Sequence, residues 1–174
     1  MIREGWGESG GSDDDYRSPF FHVARTAESR VVLLSDVPVR YWGHWTRTGL
    51  RPCGERRCEQ CDEGVGRQLR FVFDVFVWDQ ARVAVWEVSS QVAARIRELV
   101  GEASTCRGEG VLVWKSTEAK QSRTHVRLWE GCLPELVKRF GMAADRQVDL
   151  PLGLGAAAVL KRWWLAQGWE VDSD

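Results

Sequence analysis

No apolar run in this 174-residue chain approaches the roughly 20 residues that a membrane-spanning helix requires. Its start is acidic and Gly-rich, where a secretion signal would be basic and apolar. These two absences lead us to expect a soluble, cytoplasmic protein, in a compartment where clustered thiols stay reduced and bind metal rather than pair. The nucleophile patterns Gly-x-Ser-x-Gly and His-Glu-x-x-His are missing, as are Gly-rich phosphate loops, so no enzyme class has a strong motif in its favour. There is no internal repeat. Lysine is scarce too: only four of the 24 basic residues are Lys and the other twenty are Arg, the side chain that best joins phosphate binding to stacking.

Net charge is also nearly absent, at −1, but it is unevenly placed. Residues 1–16 carry one Arg against five acids and residues 169–174 carry three acids and no base, which leaves +6 on residues 17–168. A basic body rich in Arg, with ten Trp, is the composition expected of a protein that stacks unpaired bases and holds phosphates.

Three of the five cysteines fall in one polar stretch, His44 to Cys61, as Cys53-x4-Cys58-x2-Cys61. A Cys-x2-Cys pair on a tight turn supplies two ligands of a closed zinc site, and four thiolate or imidazole ligands complete one. Cys58 and Cys61 are that pair, with Cys53 and His44 completing a Cys3His set and His22 as the alternative imidazole. Such a polar loop gives its thiols no apolar core to join, so a structural Zn2+ that folds the loop explains them better than chance or a disulfide. Cys106 and Cys132 are isolated and read as structural.

Along the chain, residues 1–18 read as a disordered acidic terminus. Val31 to Leu34 and Val39 to Trp42 read as extended, and the metal loop spans 44–66. Arg70 to Trp78 (RFVFDVFVW) is the clearest strand, with Phe71, Phe73, Val75 and Val77 on one face and Arg70, Val72, Asp74, Phe76 and Trp78 on the other. Val83 to Val88 returns as its hairpin partner. Ser89 caps a helix that Gly101 ends. Gly110 to Ser116 and His125 to Trp129 form a second hairpin, with Val126 and Leu128 inward. Short helical patterns follow at 133–140 and 156–167, then an acidic tail at 169–174. Trp163 and Trp164 are consecutive, so they are expected on different helix faces, one of them exposed or meeting a partner.

The resulting fold class is mainly β with helices. Five or so strands with a helix between the third and fourth is the order of an OB-fold, a five-stranded Greek-key barrel. Here it would occupy residues 19–150, with a zinc-loop insertion and a C-terminal helix at 151–168. The cysteine set, the apolar strand after it, the hairpin running into VAVWEVSSQVAARI and the strand GVLVWKS together resemble the single-stranded DNA-binding proteins of T-even bacteriophages. The resemblance covers roughly residues 31–130. It implies an OB-fold with an inserted His/Cys3 zinc subdomain, binding to single-stranded DNA or RNA, and replication or recombination partners reached through the acidic tail or Trp163 and Trp164. The family's basic N-terminal arm has no counterpart here, because this terminus is acidic.

The expected nucleic-acid-binding residues are Arg40, Tyr41, Trp42 and Arg47 beside the metal loop, Arg70 on the long strand, and Trp114, Lys115, Lys120, Arg123 and Arg127 of the last hairpin. Phe71, Phe73 and Trp86 are core candidates. Two other classes stay open. Asp74 with Glu118-x-Lys120 is a weak version of a metal-dependent nuclease site, and the zinc loop with the C-terminal tryptophans could serve as a protein-interaction module.

Overall fold

The structure, a computed structural model, describes residues 18–25, 27–54, 58–101, 105–116 and 123–169. The acidic start, Glu118, Lys120 and the tail from residue 170 lie outside these. In chain order the elements are β1 (Ser29–Leu33), β2 (Val39–Thr46), β3 (Gly49–Pro52), α1 (Glu59–Asp62), β4 (Arg67–Val77), β5 (Arg82–Ser89), α2 (Ser90–Val100), β6 (Gly110–Ser116), β7 (Arg123–Leu128), α3 (Cys132–Phe140) and α4 (Ala156–Ala166). No described helix is long and apolar enough to cross a membrane.

The protein is mainly β. All strand pairings are antiparallel and join one curled sheet in the order β3-β2-β4-β1-β6-β7, with β5 on the far edge of β4. The long strand β4 explains the curl. Its first half, Arg67 to Val72, pairs with β2 and its last three residues pair with β1, while β5 runs along the other edge. β1 and β2 thus act as one strand bent at Ser35 to Pro38. The sheet has seven strands rather than about five because that first strand is split and the cysteine region contributes the β2–β3 hairpin.

Inside the curl lie Val31, Leu33, Phe73, Val75, Trp86, Val111 and Val113, closed at one end by Val92, Ala93 and Ile96 of α2. The local signals for α2 are as the sequence suggests: the Ser89 hydroxyl accepts from the Val92 N–H, and Gly101 ends the helix at φ 91°. The convex side is covered as well. Val72 and Val85 pack under Ala156, Val159 and Leu160 of α4, and Val32, Leu34 and Phe76 pack under Cys132 and Leu136 of α3. Both faces of β4 are therefore buried in its second half, which is why its sequence is nearly continuous in apolar residues. Gly110 lets α3 approach this closely, since a Cβ there would lie 2.2 Å from the Cys132 sulfur.

Two expectations change. Leu128, expected inward, is 38% exposed at the end of the edge strand β7. Trp163 and Trp164 are both half-buried, because the helix face is wide enough for each to meet a different ring: Trp163 stands edge-on to Phe20 at 5.5 Å and Trp164 edge-on to Tyr41 at 4.9 Å. The outer edge of β5 is met by the segment before β1. Phe20 bridges Val85 in parallel, Phe21 N–H donates to the Val85 carbonyl, and Phe21 and Val23 enter the core.

Candidate metal centre and nucleic-acid surface

His44 sits near the end of β2, fully buried, and the β2–β3 hairpin brings Cys53 back beside it: Cys53 N–H donates to the Trp42 carbonyl. Cys58 precedes α1 and Cys61 lies within it, so one short helical turn sets both sulfurs on the same side. The Nε2 of His44 is 3.4 Å from the sulfur of Cys58 and 3.4 Å from that of Cys61, and the sulfurs of Cys53 and Cys61 are 3.5 Å apart. All four ligand atoms lie within 4.8 Å of one another. Donors at the corners of a zinc tetrahedron, with bonds of about 2.0–2.3 Å, stand about 3.5–3.8 Å apart. The donor set fits a metal ion of that size.

Supporting contacts orient the imidazole. His44 Nδ1 is 3.0 Å from the Val65 carbonyl. A carbonyl only accepts, so the proton is on Nδ1 and the lone pair of Nε2 faces the thiols. Burial opposes ionisation of Cys58, but the backbone N–H groups of Cys61 and Gly54 and the neighbouring thiols bring its pKa down to about 7. Burial and bonds to Cys61 and Cys58 push Cys53 up to about 12. Without a cation the thiols compete for charge, and a bound divalent ion would let all three ionise together. His22, the alternative imidazole, belongs to the segment along β5 and is outside the cluster.

Nine of the ten residues expected to bind nucleic acid are described, Lys120 being outside the described residues, and they fall into different places. Trp42 is 44% exposed, and the Arg67 guanidinium lies 4.6 Å from its ring centroid. Arg40 and Arg47 are exposed on the same hairpin. Tyr41 and Arg70 are tied down instead: both hydrogen-bond Glu87 at 3.0 Å, and Trp164 of α4 stands against the Tyr41 ring. Burial, then the Glu87 carboxylate, raises the Tyr41 pKa above the ordinary phenol value. Trp114 stacks on His125, with Arg127 5.7 Å from its centroid and bonded to Glu28. Lys115 is half-buried beside it and Arg123 is exposed.

Sequence reasoning misses Arg67, Trp45 and the His125 stack. Trp45 is 55% exposed and its indole N–H donates to Gln68. The missing signal is cross-strand register, which pairs His44 with Arg67 and Trp114 with His125. No protein-family model, curated protein or solved structure matches the chain.

Proposed function

We propose that this protein binds single-stranded nucleic acid, DNA in the first place, with little sequence preference, and that it coats or protects strands without chemistry of its own. The observation that carries the reading is the exposed Trp42 with Arg67 over its ring, flanked by Arg40 and Arg47 on the hairpin that bears the His/Cys cluster. An indole platform amid guanidinium groups offers stacking to any base and charge to its phosphate. The cluster is read as a structural zinc site whose ion would hold the hairpin in place beneath that platform. The OB-fold is supported by the connectivity: a bent first strand (β1 and β2), the β4–β5 hairpin, a helix, and the β6–β7 hairpin joined back to β1.

The nuclease alternative is weakened by Asp74, whose Oδ2 accepts the Ala156 N–H at the start of α4. A carboxylate committed to a backbone donor under a helix is poorly placed to hold a catalytic ion.

The deciding test is titration of the full chain with a single-stranded oligonucleotide and its duplex at two salt concentrations. The single strand should bind more tightly, and removing one phosphate-binding guanidinium, as in Arg40→Ala or Arg47→Ala, should lower the salt slope by about 0.7. Equal affinity for duplex would reduce the surface to a general basic patch. No binding at low salt would favour the protein-interaction module.

A further inference from the structure

A second aromatic and basic patch lies on the opposite, convex side of the sheet. Val113 and Val126 are cross-strand partners that point into the core, so the next pair, Trp114 and His125, points outward. Trp42 pairs with Leu69, on the side that continues as Phe71 and the buried Phe73 and Val75, so it stands on the concave side. A base on Trp42 and a base on Trp114 therefore occupy separate sites.

The second site has the components of a base-binding slot. The Trp114 ring packs nearly parallel to His125, at 16° with centroids 5.4 Å apart, so the imidazole occupies one of its faces. Trp114 also borders an open surface depression of about 270 Å³ lined by Arg25, Ala27, Glu28, Trp114 and Lys115, with the Arg127 guanidinium 5.7 Å from the ring centroid and free to swing aside for a base. Drug-sized pockets run from about 300 to 1,000 Å³, so this one has room for one base and not for a stack of them. Over β6, Arg127 reaches Glu28 at 3.0 Å, with the two side chains 60% and 38% exposed. An ion pair that open contributes little and yields readily to a phosphate. His125 Nε2 is buried with no hydrogen-bond partner among the described residues, which adds unmet polar capacity beside the ring.

We infer that this depression holds one unpaired nucleobase on Trp114, its phosphate taken by Lys115 and by Arg127 exchanged from Glu28. The inference rests on the nucleic-acid reading for its ligand class and adds a site distinct from the Trp42 platform. Apolar protein partners fit the depression poorly, since three of its five walls are charged.

The test uses the full chain with adenosine 5′-monophosphate and, separately, ribose 5-phosphate, following by NMR the backbone amide of residue 114, which wild type and both variants share. The nucleotide should shift that resonance and the sugar phosphate should not. Trp114→Leu should abolish the nucleotide response and lower oligonucleotide affinity about 5- to 150-fold. Trp114→Phe should retain most of both, which separates stacking from a merely structural role. Arg127→Gln, a surface change, should weaken nucleotide binding without altering the melting temperature.

An equal response to ribose 5-phosphate would overturn the inference, because the depression would then be a bare anion site. Oligonucleotide binding that is intact in Trp114→Leu, with no nucleotide response in the wild type, would overturn it while leaving the Trp42 reading in place. A Trp114-dependent nucleotide response in a chain that binds no oligonucleotide would uphold the slot and sink the strand-binding reading.

Discussion

Asp74 of β4 caps a helix 82 residues away: its Oδ2 accepts the backbone N–H of Ala156, the first residue of α4, at 3.1 Å. A carboxylate at a helix start satisfies an orphan donor and opposes the helix dipole. The approach is also tight, since a Cβ on Gly153 would lie 2.5 Å from the Asp74 carboxyl carbon.

Asp74→Ala should therefore destabilise the protein by about 1 kcal/mol, the usual cost of removing a cap. Gly153→Ala should destabilise it too, by collision with the same carboxyl group. The two changes together should cost less than their sum, because removing the carboxyl group removes the collision. Urea unfolding of the four proteins of the cycle measures this; strict additivity would mean that the two groups do not touch in solution.

Elemental analysis should find about one zinc per chain. Cys58→Ser should lose it, while Cys132→Ser, whose thiol is buried between α3 and the sheet, should keep it. Bound thiolates give up protons, so acidification should release the metal. In the metal-free chain the two thiols oppose each other: the contribution of Cys58, lowered from 9.0 to about 7, is lost as pH falls from 9 through 7, whereas Cys53, raised from 9.0 to about 12, costs stability as pH rises above 9. A chelator should raise hydrogen exchange in the β2–β3 hairpin well before it does so in β4, whose core is independent of the cluster. Simultaneous loss of both would show that the metal holds the whole sheet.

Arg30 and Asp79 supply a separate pH signature. Partial burial opposes ionisation of Asp79, but hydrogen bonds from the Arg30 side chain and backbone outweigh it and lower the pKa from 3.8. Its stabilising contribution is therefore present above pH 4 and lost as the solution is acidified through the lowered value. Both side chains are about two-fifths exposed, so Asp79→Asn should cost less than about 1 kcal/mol at neutral pH. The same variant should flatten the acid limb of a plot of unfolding midpoint against pH.

Arg139 closes the aromatic group beneath α3, its guanidinium 4.5 Å from the Trp78 centroid and 4.8 Å from that of Phe76. Arg139→Ala should lower stability by about 1 kcal/mol, and Arg139→Lys should recover only part of it, because an ammonium lacks the planar stacking surface. Thermal melts of the two variants provide the comparison.

What could be read from the sequence was whatever depends on neighbours in the chain. The β4 run, the Ser89 cap with its Gly101 stop, and the spacing of Cys53, Cys58 and Cys61 are local patterns, and each lies where the sequence places it. What escaped depends on distant partners. Tyr41 and Trp42 are adjacent aromatics of equal promise in the sequence; only the docking of Trp164 from α4 and the reach of Glu87 separate a tied-down ring from an open one. The concave and convex placement of Trp42 and Trp114 likewise follows from registers spanning five strands, which no local periodicity encodes.

The pairing of Phe20 and Phe21 with Val85 sets an order on biosynthesis. This segment emerges from the ribosome ahead of β1 to β7, yet the edge that receives it is complete only when β5 follows. Until then Phe21 and Val23 remain without their core, and β5, once made, presents an unpaired edge open to other nascent chains. Docking of these few residues is a late, long-range step, so the yield of protein in cells should depend on how quickly it happens.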